Sequence, residues 1–194
     1  MATTRKLRDL SRPWITATEE FASAATEVKE SPDRSACIVV TSLITQVLER
    51  VILARLLIDE ESRISPLFGR DDALSTFYGN IHLAFALQLI SEAVRDDLEV
   101  IRRVRNAFAH SVLPLTFDTK DISLEIFKLR YNNYYTLSSS EREEFESFSP
   151  TDRREFMICC HAVGNILIRA ILSWQSNHLL NVDRGRERHS SLQL

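Results

Sequence analysis

The sequence predicts an all-α fold, an antiparallel bundle of about six helices, and three observations carry that prediction. Glycine is scarce: Gly69, Gly79, Gly164 and Gly185 are the four in 194 residues. Hairpins, nucleotide-binding loops and α/β crossovers use glycine where φ is positive or where backbone must approach a ligand, so a chain this poor in it reads as long helices with few turns. Apolar residues recur at helical spacing, with Cys37, Val40, Ile44, Val47, Leu48, Val51 and Ile58 on one stripe. The breaks between such stretches coincide with proline, at Pro32, Pro66, Pro114 and Pro150.

The elements follow in order. Pro13 suits the first position of a helix that runs to about residue 30, where Ser31-Pro32 stops it. Asp33 then caps a long helix to about Glu60. Residues 61–72, ESRISPLFGRDD, read as a loop. A third helix, from about Leu74 to Ile90, is apolar almost all round in its second half and is expected at the centre of the bundle. A fourth covers about Val94 to Ser111. Asp118 or Thr119 caps a short amphipathic helix, and YNNYYTLSSSE forms a polar, aromatic connector beside the helical turn SEREEFESF. Ser149, Pro150 and Asp152 open a last long helix to about His178. The expected organisation is a basic tail over 1–12, one helical domain over 13–180 and a mobile tail over 181–194.

Composition narrows the function classes. Hydrophobic residues make up 44% and charged residues 26%, the balance of an ordinary soluble protein with ample core material. The net charge of −3 argues against a protein living on nonspecific nucleic-acid contacts. Both ends are basic, with Arg5, Lys6, Arg8 and Arg12 at one and Arg184, Arg186 and Arg188 at the other, and phosphate contacts from them would be weak and salt-sensitive. Cys37, Cys159 and Cys160 are odd in number, lack C-x-x-C spacing and sit among apolar residues, which suits a reduced, cytoplasmic setting and core packing. No secretory signal and no apolar run of membrane length are read. His82, His110, His161, His178 and His189 form no H-E-x-x-H, and no glycine-rich phosphate motif or nucleophile elbow occurs, so neither a metal nor a cofactor is expected. His82 is expected as a hydrogen-bonded core histidine.

The segment of chemical interest is IRRVRNAFAHS, residues 101–111. At about 100° per residue, Val94, Leu98, Ile101 and Phe108 share one face with Arg105 in its middle. Asn106 and His110 lie on a more polar side with Arg103. A guanidinium in an apolar stripe needs a carboxylate or several carbonyls, or else it looks into a cleft or subunit interface. Arg55 raises the same question among Leu48, Val51, Ile52 and Ile58, and Glu49, Asp59 and Asp97 are the acids nearest in sequence. Arg105 is read as an internal strut; its alternative role is gripping a phosphate. His110 is read as a helix-end hydrogen-bonding residue; its alternative role is general acid or base. In the last helix Phe156, Cys160, Val163, Leu167, Ile171 and Trp174 face the bundle. Met157, Ile168 and Leu172 form a second side that either meets a twin subunit or is simply buried more deeply.

Leu67-Phe68, LSTFYGNIHLAFALQLI at 74–90, DLEVIRRVRNAFAH at 97–110 and LTF at 115–117 together resemble the mannitol operon repressor (MltR) family over about residues 33–125. The resemblance implies an all-helical cytoplasmic protein that tends to form a homodimer and regulates transcription. No helix-turn-helix with a polar recognition helix is found, so action through an unidentified protein partner is the natural route. The chain departs from that family at Leu74, Ser75 and Gln88, where many relatives carry glycines. A second, shorter resemblance is to the HEPN superfamily of helical nucleases and RNA-binding domains. It implies that Arg105, Asn106 and His110, from one subunit or two, would hold and cleave RNA without metal.

Overall fold

The computed structural model describes residues 21, 23, 27–56, 67–68, 74–146, 148 and 151–190. Among them are six α-helices and no strand: α1 (Asp33–Leu56), α2 (Phe77–Ala86), α3 (Glu92–His110), α4 (Lys120–Ile126), α5 (Ser139–Glu146) and α6 (Thr151–Ser190), with a 3-10 turn at Tyr131–Asn133. The expected all-α bundle is present. The first expected helix is described only at residues 21, 23 and 27, all helical, ahead of a turn at 28–30. Most of it, the basic segment 1–12 and the loop around Pro66 and Gly69 lie outside the described residues. α6 continues to Ser190, well past the expected end near His178 and through Gly185.

Local chemistry sets the helix ends. Thr76 Oγ1 accepts from Gly79 N (3.0 Å) and Ser91 Oγ accepts from Val94 N (3.4 Å), each supplying an acceptor that the first helical turn lacks. α2 closes with Gln88 N donating to Phe85 O and Leu89 N to Ala84 O, both 2.9 Å. That pairing is a Schellman stop, which demands a left-handed residue; Gln88 occupies it with φ 57°. The resemblance had marked this position as one where relatives carry glycine, and the backbone shows why.

Asp33 is the first residue of α1, yet its carboxylate is not spent on that helix. Oδ2 accepts from Phe117 N (3.0 Å) and Oδ1 from Arg153 Nη1 (2.9 Å). Arg153, only 7% exposed, also donates from Nη2 to the carbonyls of Val28, Lys29 and Ser31. α1 and α6 therefore begin at the same end of the bundle. α3 runs opposite to α1: Arg34, in the first turn of α1, donates to the carbonyls of Ser111 and Leu113 beyond the end of α3 (2.8 and 3.1 Å).

α6 is the central element. Every residue from Phe156 to Asn165 is buried, because α1, α3, α4, α5 and the 3-10 turn all pack on it. A row of rings joins three segments, Phe108 to Phe117 at 5.0 Å and Phe117 to Phe156 at 5.2 Å between centroids. Gly164 lets Phe21 approach so closely that a β-carbon there would sit 2.5 Å from the ring. The central position expected for the third helix is corrected. α2 buries only Asn80, Ile81 and Ala84 and lies along α1 and α3, with Tyr78 53% exposed. Its apolar composition serves contacts along α1 and α3 rather than all-round burial.

Two helices, Asp33–Leu56 and the Thr151–Ser173 part of α6, are long and apolar enough to cross a membrane by length and composition, contrary to the sequence reading. Most of each apolar window is buried inside the bundle, as core helices require.

Candidate functional site: two polar pockets

α3 carries its chemistry on the side flanking its buried stripe. Val94, Leu98, Ile101, Val104 and Phe108 face the core, whereas Arg102, Arg105 and Asn106, at i, i+3 and i+4, share a half-buried strip. That strip forms one wall of a pocket of about 580 Å³. α1 supplies Thr41, Ser42, Thr45 and Gln46, and the start of α2 supplies Thr76, Phe77 and Tyr78. No acidic side chain lines it.

The two arginines differ. Arg102 pairs with Glu99 at 2.9 Å and lies over the Tyr78 ring, 5.2 Å from its centroid. Arg105 makes one hydrogen bond, from Nη1 to Asn106 Oδ1 at 3.0 Å, and among the described residues no carboxylate stands within ion-pair distance of it. The strut expectation for Arg105 is therefore corrected: the guanidinium braces no neighbouring helix and faces a cleft. Asn106 shares that cleft with it, rather than lying on a separate polar side with Arg103. Arg103 instead reaches Glu125 on α4 at 2.8 Å. His110, the last residue of α3, is exposed and forms no part of the pocket wall. Within one chain the arginine–histidine pair is not assembled.

The remaining candidates fall elsewhere. Arg55 is exposed in the last turn of α1, outside the buried stripe. Phe108 is fully buried in the ring row. Met157 and Ile168 are buried within the chain, at 2% and 0% exposure, and Leu172 is 48% exposed. The side of α6 considered for a twin subunit is thus covered, as far as Ile168, by the chain itself. His82 is corrected as well: its side chain is 44% exposed, tilted against Tyr78 at 4.2 Å and 3.6 Å from Glu99. The core-packing expectation for the cysteines holds: all three are buried, and burial pushes the Cys37 thiol up to about 12 and the Cys159 and Cys160 thiols well up.

Sequence reasoning missed a second polar assembly, where the connector and α5 meet α6. Glu141 accepts from Tyr135 Oη (2.6 Å), Ser138 N and Ser138 Oγ (each 2.7 Å), and its Oε1 lies 2.7 Å from His161 Nε2. Asn165 Nδ2 donates to Tyr135 Oη (2.7 Å) and lies 2.9 Å from the same ring nitrogen. Burial alone would raise the Glu141 carboxyl, but donors from Tyr135, His161 and Ser138 outweigh it and hold it down at about 2. Nearby, Asp97 is fully buried, with no cation paired to it among the described residues. It accepts from Arg130 N (2.8 Å) and Tyr134 Oη (2.6 Å), and its carboxyl is pushed up chiefly by desolvation. A pocket opens beside Glu141, with Glu144, His161, Asn165 and Arg169 in its wall. Its polar groups are largely spent on one another.

No group of three or more potential metal ligands occurs among the described residues. No protein-family model and no curated protein matches the sequence. Among solved structures, a chain in the X-ray structure of the MtlR-HPr complex from Escherichia coli superposes with a TM-score of 0.60 at 15% identity, covering 76% of this chain and 98% of that one. At that identity the likeness shows the fold alone, an all-α bundle shared with the matched chain.

Proposed function

We propose that this chain is a non-enzymatic regulatory protein of the mannitol-repressor type, which works by holding another protein. The observation that carries the reading is the shared fold over nearly the whole of a chain whose structure was determined in the MtlR-HPr complex. A feature of this chain supports it. Just beyond α3, Val112 is fully exposed and Leu113 is 71% exposed. Arg34 and the Ser111 hydroxyl hold the backbone there: Arg34 donates to Ser111 O and Leu113 O, and Ser111 Oγ bonds both Leu113 N and Leu113 O. Apolar side chains presented on a pinned backbone cost little ordering on docking, which is what a partner contact requires. Regulation through such contacts needs no base-reading helix. A cytoplasmic setting and self-association belong to the same proposal.

The test is direct. HPr is titrated into the protein by calorimetry, and partners are crosslinked in extract, each with wild type and Val112→Asp. The reading expects a complex that Val112→Asp weakens by about tenfold or more. The absence of any partner sensitive to that substitution, HPr included, overturns it.

The rival reading, metal-independent RNA cleavage, draws on Arg105 and Asn106 sharing one pocket. It requires His110 of a second copy to complete the pair. Pure protein is expected to leave RNA intact, and cleavage abolished by His110→Ala would reverse the order of the two readings.

A further inference from the structure

α2 is held to the bundle along one edge and poorly matched to it beneath. Tyr78, His82 and Phe85, at i, i+4 and i+7, share one face of the helix. Arg102, Glu99 and Arg95 stand against them, taken in reverse order along α3, so the two helices run antiparallel. Arg102 lies over the Tyr78 ring, 5.2 Å from its centroid, and Arg95 over the Phe85 ring at 4.5 Å. Between them His82 Nε2 is 3.6 Å from Glu99 Oε1, an ion-pair approach too long for a hydrogen bond. That oxygen is buried and has no hydrogen-bond partner among the described residues. These handles are partly exposed and individually weak.

The inward face of α2 opposes docking. Of its buried residues, Ile81 and Ala84 are apolar and Asn80 is not. Asn80 is 1% exposed, and neither its Nδ2 nor its Oδ1 has a hydrogen-bond partner among the described residues. A side-chain amide carries two donor hydrogens and an acceptor oxygen, all of them satisfied in water and none when α2 is docked. Buried polar groups are ordinarily satisfied, so an amide stranded at both ends marks a position that the helix leaves at little cost. The exit of α2 acts in the same direction. Gln88 ends the helix at φ 57°, a conformation that a residue with a side chain keeps only while its surroundings impose it. Undocking hydrates Asn80 and releases Gln88, and the apolar contacts given up are those of Ile81 and Ala84.

We propose that α2 is a flap, which lifts from α1 and α3 as one unit while the rest of the bundle stays folded. Lifting uncovers the strip of α1 and α3 on which Ile81 and Ala84 rest. It also removes one wall of the pocket that Arg102, Arg105 and Asn106 line. The chain then has two states, the closed one described and an open one with a new apolar surface. The Arg95, Glu99 and Arg102 handles hold the closed state, and Asn80 is the built-in release. The flap is separate from the Val112–Leu113 loop, so its opening is measurable without any protein partner.

Amide hydrogen exchange of the full-length protein tests this, read residue by residue by NMR over urea concentrations below the unfolding transition. The amides from Asn80 to Leu87 are expected to share one opening. They exchange about a hundredfold faster or more than those from Phe156 to Asn165, with a shallower dependence on urea. Asn80→Leu is expected to slow exchange in α2 by about tenfold or more. Arg95→Gln and Arg102→Gln are each expected to speed it by about two- to fivefold. α2 amides that follow the urea dependence of α6 overturn the proposal, since the helix then leaves only with the whole bundle. Openings graded inward from the helix ends mean fraying and overturn it too. Exchange that Asn80→Leu leaves unchanged or quickens overturns it in favour of a buried water held by Asn80. Where Asn80→Leu does not fold, the arginine variants decide, and α2 exchange indifferent to both overturns the flap.

Discussion

The two polar pockets invite comparison because they use similar residues to opposite ends. Around Glu141, donors and acceptors from the connector, α5 and α6 meet one another, and the carboxylate is held by Tyr135, Ser138 and His161. Around Arg105, the hydroxyls of Ser42, Thr45 and Thr76 are bonded to backbone of their own helices, and the guanidinium meets Asn106 alone. A polar cluster whose partners are internal acts as a fastener, since removing one member strands the rest. A guanidinium whose one internal partner is a neutral amide adds little to folding and keeps most of its donors open. Asn165 Oδ1 is the exception in the first cluster, buried and unpartnered. One orphan atom among satisfied neighbours does not make a receptor.

If that contrast is right, substitutions in the fastening network cost stability and substitutions in the open pocket do not. The largest effect is expected at Arg153. Its guanidinium joins Asp33 to three carbonyls at the common start of α1 and α6 while almost fully buried. Arg153→Met leaves the Asp33 carboxylate short of its cation and three carbonyls short of a donor, a loss of about 3–5 kcal/mol. Urea unfolding measures it; a loss below about 1 kcal/mol would mean that water replaces the guanidinium and that this end is not fastened as described.

Glu141 comes next, and pH separates it from Asp97. Its carboxyl is held at about 2 against an ordinary value of 4.5. A depressed acid stabilises the fold above its unfolded value, so its contribution is complete above about pH 4.5 and is lost as pH falls towards 2. Asp97 has the opposite sign: its raised carboxyl makes ionisation a cost to the fold, one that vanishes when the group is protonated in acid. Glu141→Gln is expected to cost about 2 kcal/mol at neutral pH and to flatten the acid limb of stability. Asp97→Asn steepens that limb by removing the opposing contribution. Stability against pH from 2 to 7, by urea midpoint in each variant, checks both signs.

The same contrast explains what was legible in the sequence. Periodicity located α1, α3 and the amphipathic α4, because a helix with one buried face advertises that face every three or four residues, and the capping residues Ser149, Pro150 and Asp152 located the start of α6. It failed where burial is not one-sided. For Met157 and Ile168 spacing leaves a subunit face and deeper burial both open, and the Glu141–His161 and Asn165–Tyr135 contacts that close the connector and α5 over that region of α6 decide for burial within the chain. Asp97 reads in sequence only as one of the acids near the stripe arginines, and the Arg130 amide and Tyr134 hydroxyl that hold it inward lie 33 and 37 residues away. Of the candidate site, Arg105 and Asn106 were visible as chemistry. Thr41 and the α2 start were not, because nothing in spacing along one helix says which neighbour lies across it. Gln88 was legible only as a departure from glycine, and its φ of 57° turns that into energy. Gln88→Gly is expected to raise stability by about 0.5–1 kcal/mol in thermal unfolding, as relief of a left-handed residue with a side chain.

The smallest effects test the open pocket and the surface beside it. Arg103 and Glu125, joined at 2.8 Å, are respectively 42% and 27% exposed, and Lys128 also pairs with Glu125. Glu125→Gln is expected to cost less than about 1 kcal/mol, since an exposed pair gains little over hydration. Arg105→Gln is expected to change stability by less than about 0.5 kcal/mol, despite removing a charge from a half-buried position on the same helix. Its guanidinium repels Arg102 three residues away and gains only the Asn106 contact in return, so the two contributions nearly cancel. Urea midpoints for Arg105→Gln and Arg153→Met, measured side by side, then rank the two arginines. A loss at Arg105 matching that at Arg153 would make it a strut after all.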